Sequence, residues 1–108
     1  MLNKEDFFKI DMRVGTIVDA SINKKTRVPA YKMKIDFGEL GIKNSSAQIT
    51  DLYTPETLIG RQVICVFNLT PVRISEVKSE VLVLGTITDK GVVLLNVDEK
   101  VENGLRIS

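Results

Sequence analysis

The sequence predicts an all-β fold, a five-stranded Greek-key barrel with short helices and a C-terminal strand extension, on three observations. Apolar and polar residues alternate over a first segment too long to lie flat in a small domain. Four further short runs of strand character follow, punctuated by Gly, Pro, Asn and Asp turn signals. A helix-like connector falls between the third and fourth of these five segments.

Taken in order, Asn3-Lys4-Glu5-Asp6-Phe7-Phe8-Lys9 reads as one short helical turn, with Asn3 as N-cap and acids in the first turn. The period then changes to two. Ile10, Met12, Val14, Thr16, Val18, Ala20 and Ile22 share one face; Asp11, Arg13, Gly15, Asp19, Ser21 and Asn23 share the other, and Ile17 alone is out of place. Such a strand spans about 40 Å, so it must bend, and Gly15 is the expected place. The second strand, Tyr31 to Phe37, points Tyr31, Met33, Ile35 and Phe37 inward and Lys32, Lys34 and Asp36 outward. Gly38-Glu39-Leu40-Gly41 turns into a third strand near Ile42 to Ala47. Gln48 to Gly60, with Thr54-Pro55-Glu56, is the helical connector. Val63–Phe67 and Val81–Leu84 are the fourth and fifth strands, joined by a polar, charged loop from Asn68 to Glu80. Beyond them, Thr88-Asp89-Lys90-Gly91 turns into Val92–Leu95, and Asn103-Gly104 makes a second tight turn before Leu105-Arg106-Ile107. A long, bent first strand serving both sides of a small barrel, with the helix between strands three and four, fits the OB-fold.

The composition narrows function mainly by exclusion. At 108 residues the chain is expected to form one domain, 1–108, with a core that needs no disulfide. No apolar run approaches a membrane span, and the charged N-terminus has no apolar signal segment behind it. One cysteine excludes an internal disulfide, so a cytoplasmic location and no membrane insertion are expected. With no histidine, and with Cys65 inside an apolar strand, an ordinary zinc site and a Cys/His or Ser/His triad are excluded. No glycine-rich phosphate loop is present and no acidic pair stands out, so the chain is expected to be a binding protein without cofactor, not an enzyme.

The net charge of +1 is uninformative, but its distribution is not. From Asn23 to Ser46, six basic residues (Lys24, Lys25, Arg27, Lys32, Lys34, Lys43) face two acids, a local excess of +4. Asp98 to Glu102 carries a local excess of −2, so one end alone suits a phosphate backbone. Lys43-Asn44-Ser45-Ser46 combines charge with hydrogen-bonding groups suited to a phosphate or a peptide backbone. Consecutive serines point to opposite faces of a strand, so at most one of them accompanies Lys43. Arg73 and Lys78 flank the Asn68–Glu80 loop, which lies where OB-folds bind ligands, and Ser79 and Glu80 close it. Asn68 and Glu80 are expected to organise that loop, because a free carboxylate repels phosphate. Tyr31, Phe37 and Phe67 fall on inward positions, and Phe7, Phe8 and Tyr53 suit packing of the N-terminal turn or a partner. No base-stacking platform is visible, which favours shape and backbone recognition of a folded RNA, or a peptide, over single-strand binding.

Three stretches resemble a known family: Asp11-Met12-Arg13-Val14-Gly15-Thr16-Ile17, Arg27-Val28-Pro29-Ala30-Tyr31-Lys32-Met33 and Ile35-Asp36-Phe37-Gly38. Together they are similar to the tRNA-binding OB domain, found free-standing and appended to methionyl- and other aminoacyl-tRNA synthetases. Gly41 to Thr50, Asn68-Leu69 and Lys78 to Gly85 narrow the resemblance to the free-standing branch described as protein-export chaperones. The synthetase-appended domains read His-Pro-x-Ala-Asp-Lys-Leu where this chain has Arg27 to Met33, and Ser-Glu-Gly-Met where it has Ser79-Glu80-Val81-Leu82. The replaced glycine and methionine lie in the region that touches tRNA in those relatives, so the resemblance points to the chaperone branch. It implies a homodimer without cofactor that binds unfolded or export-destined polypeptide, tRNA, or both. The alternative it implies is a dedicated tRNA-binding protein acting with aminoacyl-tRNA synthetases. Arg27, Lys32, Lys34, Lys43, Asn44, Ser45, Ser46, Asn68, Arg73, Lys78, Ser79 and Glu80 are the candidate contacts.

Overall fold

A computed structural model describes residues 1–108. The N-terminal turn is helix α1, Lys4–Phe7, and Asn3 caps it by accepting the Asp6 N–H at 2.8 Å. Strand β1, Met12–Asn23, then pairs with β2, Ala30–Asp36, which pairs with β3, Ile42–Ala47. Helix α2, Pro55–Leu58, precedes β4, Gln62–Val66. Short strands follow: β5, Val72–Ile74; β6, Val77–Ser79; β7, Leu82–Val83; β8, Gly85–Thr88; and β9, Gly91–Leu94. The main sheet is antiparallel in the order β3-β2-β1-β4-β7, with β5-β6 and β8-β9 as separate hairpins.

This sheet curls into the expected OB-like half-barrel, and its two edges are stitched across the gap. The Glu80 N–H donates to the Asn44 carbonyl at 2.8 Å, and the Ser45 hydroxyl donates to the Val81 carbonyl at 2.7 Å. One long strand can serve both sides because β1 changes partners along its length. Met12 to Thr16 pair with β4, while Thr16 to Asn23 pair with β2. The other edge of its first half is taken by the C-terminal segment, where Val14 N–H donates to Leu105 O and Ile107 N–H to Met12 O.

Two expectations need correction. The irregularity in β1 falls beyond Gly15. The ladder slips between Ile17 and Asp19, so Val18 is a bulge residue, and a bulge inverts which side chains face inward. Ile17 is therefore fully buried and Val18 exposed, and beyond the bulge Ala20 is buried. Gly15 is required for a different reason: a Cβ there would lie 2.6 Å from Ile35 Cγ2 and 2.7 Å from Phe37 Cε1. The second correction concerns residues 68–80, which are not an irregular loop. They carry the β5–β6 hairpin, in which Val72 pairs with Ser79, Arg73 with Lys78 and Ile74 with Val77.

The core sits inside the curl. Met33 and Ile35 of β2, with Phe37 just beyond it, meet Ile17 of β1 and Val63 and Cys65 of β4, all essentially buried. Leu58 plugs this cluster from α2, whose start is fixed by Pro55 and by a reciprocal cap between Thr54 and Thr57. Full burial of each large apolar side chain stabilises by about 1.5–3 kcal/mol relative to exposure. No helix is long and apolar enough to cross a membrane.

Candidate polyanion- and polypeptide-binding face

Register decides which candidate residues meet. On the outer face of the curl, Ser21, Lys32 and Ser46 form one row across β1, β2 and β3. Asp19, Lys34 and Asn44 form the next row. Lys32 and Lys34 are exposed because alternation along β2 turns them away from Met33 and Ile35. The β5–β6 hairpin leans over these rows. Beneath it lies a groove of about 310 Å³, lined by Asp19, Ser21, Lys32, Met33, Lys34, Asn44 and Val77. A neighbouring groove of about 410 Å³ is lined by Lys25, Thr26, Arg27, Val28, Ala30, Ser46, Ala47, Gln48, Ile74 and Ser75. Arg27, Lys32, Lys34, Asn44 and Ser46 are thus brought to one surface.

The remaining candidates lie elsewhere. Lys43 has the opposite parity to Asn44, and its ammonium stands 5.8 Å from the centre of the Phe67 ring, a cation–π contact. Ser45 shares that inner side, is buried, and spends its hydroxyl on Val81. Arg73 and Lys78 face each other across the hairpin, on the side opposite Ile74 and Val77, and line neither groove. Asn68 accepts the Asp11 N–H at 2.9 Å and donates to the Lys9 carbonyl at 2.7 Å, which ties the N-terminal segment to the end of β4. Ser79 accepts the Ser46 N–H at 3.3 Å, and the Glu80 carboxylate accepts the Asn44 N–H at 3.0 Å. These last two hold the hairpin against β3.

Several lining residues escaped the sequence reading. Lys25 was visible only as part of the basic run, and Asp19 and Ser21 only as outward positions of β1. Ile74 and Val77 required the hairpin, whose strands have only three residues each. Their alternation of apolar and charged residues was the available signal.

Cys65, the one thiol, is fully buried in the core, and desolvation pushes it from 9.0 up to about 12, far from the reactive range. No group of three or more His, Cys, Asp or Glu side chains is arranged to hold a metal ion. What the two grooves offer is aliphatic contact beside Lys25, Arg27, Lys32 and Lys34.

A curled OB-like sheet with a basic outer face agrees with the family match. Residues 12–106 match the family model described as "Putative tRNA binding domain", and the chain belongs to that family. Among solved structures, the chaperone CsaA of Bacillus anthracis str. Ames is 51% identical, with a TM-score of 0.94 over 100% of this chain and 99% of that one. The CsaA chaperone protein of Picrophilus torridus is 50% identical, also at 0.94, with 100% of both chains covered. The methionine–tRNA ligase of Caldanaerobacter subterraneus subsp. tengcongensis is 35% identical over 104 residues, which is 96% of this chain. The chain spans 16% of that ligase's length.

Proposed function

We propose that this protein is a non-enzymatic, cytoplasmic chaperone of the CsaA type, a homodimer that binds unfolded or export-destined polypeptides on the outer face of β1–β3. One observation carries this reading: both grooves are lined by aliphatic and basic side chains and by no aromatic ring. Single-stranded nucleic acid is held by stacking on aromatic rings. An extended polypeptide instead needs apolar contact for alternate side chains and polar groups for its backbone, which Ile74, Val77 and the Asn44 side chain supply.

Membership of the tRNA-binding family favours tRNA as a second ligand of the same face, recognised through its phosphates by Arg27, Lys32 and Lys34. Both ligands are tested by titrating unfractionated tRNA and a permanently unfolded polypeptide against the protein at two salt concentrations, alongside an aggregation assay. The expected result is suppression of aggregation, with polypeptide binding that varies little with salt and tRNA binding that falls steeply. Aggregation that proceeds unchanged at several-fold excess of protein contradicts the chaperone role.

A further inference from the structure

The tip of the β5–β6 hairpin is tied down across the outer face. Ser75 adopts a left-handed φ of 58°, uncommon for a residue other than glycine, and turns the tip toward the segment that joins β1 to β2. There Glu76 forms an ion pair with Lys25, and the Ser75 hydroxyl lies 3.5 Å from the Lys25 carbonyl oxygen. No other hydrogen bond or ion pair joins residues 24–29 to residues 72–78. This clasp stands between the two grooves, with Val77 lining one and Lys25, Ile74 and Ser75 the other.

We propose that Glu76 is a specificity-determining residue, an internal anion that occupies Lys25 and so sets the grooves against polyphosphate and in favour of polypeptide. The inference rests on the two-ligand reading of this face given above. Lys25 lies in the most basic stretch of the chain, next to Lys24 and two residues from Arg27. A phosphate that uses Lys25 must displace the Glu76 carboxylate and then sit beside a like charge. A peptide backbone, being neutral, meets neither obstacle. The side chains of Lys25 and Glu76 are 63% and 72% exposed, so the pair contributes little to folding, and the fold is expected to survive its removal.

The test is a double-mutant cycle with Glu76→Gln, Lys25→Gln and the pair of substitutions together, titrated with unfractionated tRNA and with a net-neutral, permanently unfolded polypeptide. One further phosphate contact is worth roughly tenfold at about 50 mM salt and steepens the log K against log salt slope by about 0.9. Glu76→Gln is therefore expected to tighten tRNA binding a few-fold, with that tenfold as the ceiling, and to leave polypeptide affinity unchanged. In the Lys25→Gln background the gain is expected to disappear. An unchanged tRNA affinity and slope in Glu76→Gln overturns the inference, and so does an equal gain without Lys25, or no tRNA binding in any variant. A gain that depends on Lys25, found in a protein that binds no polypeptide, supports the masking of Lys25 and removes the polypeptide reading instead.

Discussion

Glu80 grips Asn44 at two points: its N–H donates to the Asn44 carbonyl at 2.8 Å, and its carboxylate accepts the Asn44 N–H at 3.0 Å. One residue thereby stands in for a strand ladder where the fifth barrel strand is interrupted between β6 and β7. A charged side chain in the middle of a basic face thus has a structural task.

Glu80→Ala leaves the Asn44 N–H without its acceptor in a half-buried position, which is expected to cost about 1–2 kcal/mol in urea unfolding. Glu80→Gln keeps an acceptor oxygen and is expected to cost less. Equal stability of wild type and Glu80→Ala contradicts the clasp.

Gly15 tests the packing account of β1. A methyl group there meets Ile35 and Phe37, both fully buried, so Gly15→Ala overpacks the core. The expected loss is about 1–3 kcal/mol, seen as a lower melting temperature in calorimetry. A stabilised variant shows that the glycine serves flexibility and not close approach.

The pH dependence of stability isolates Cys65. Its thiol is pushed from 9.0 up to about 12 in the folded chain. Below pH 9 both states hold the proton; between pH 9 and about 12 only the folded state does. The folded state then binds more protons, so stability falls as pH rises through this window. Cys65→Ala is expected to be less stable at neutral pH, from the cavity it leaves, but to show a shallower alkaline fall. In the native wild type the thiol is expected to resist alkylation until the chain unfolds.

The proposed homodimer needs an apolar surface to bury, and on the β8–β9 hairpin Ile87 is 89% exposed. Ile87→Glu is expected to shift the protein from dimer to monomer in light scattering while circular dichroism stays unchanged. A dimer that persists in Ile87→Glu places the contact elsewhere.

Much of the fold was legible because strand alternation and turn chemistry agree along the chain. Tyr31, Met33 and Ile35 show it in β2, Thr54-Pro55 at the start of α2, and Asp89-Lys90-Gly91 at the last hairpin. The bulge at Val18 was not legible, since Ile17 and Val18 are both apolar and β-branched and either could face the core. Ile17, the one residue out of phase, was its trace. At the proposed binding face the charges could be read, but their grouping could not. Lys43 and Asn44 differ by one position and therefore lie on opposite sides of β3. Arg73 and Ile74 are divided in the same way by a hairpin too short to leave a periodic signature. The clasp between Lys25 and Glu76 joins residues 51 positions apart and depends on a left-handed serine that no local pattern demanded.

The most direct test of the binding face is a backbone NMR titration of the labelled protein with an unfolded, export-type polypeptide. The expected shifts cluster at Lys32, Lys34, Asn44, Ser46, Ala47 and Val77, the residues that line the grooves under the β5–β6 hairpin. Shifts confined to Arg73 and Lys78 on the hairpin's other side, or to β8 and β9, with these residues unmoved, would contradict it.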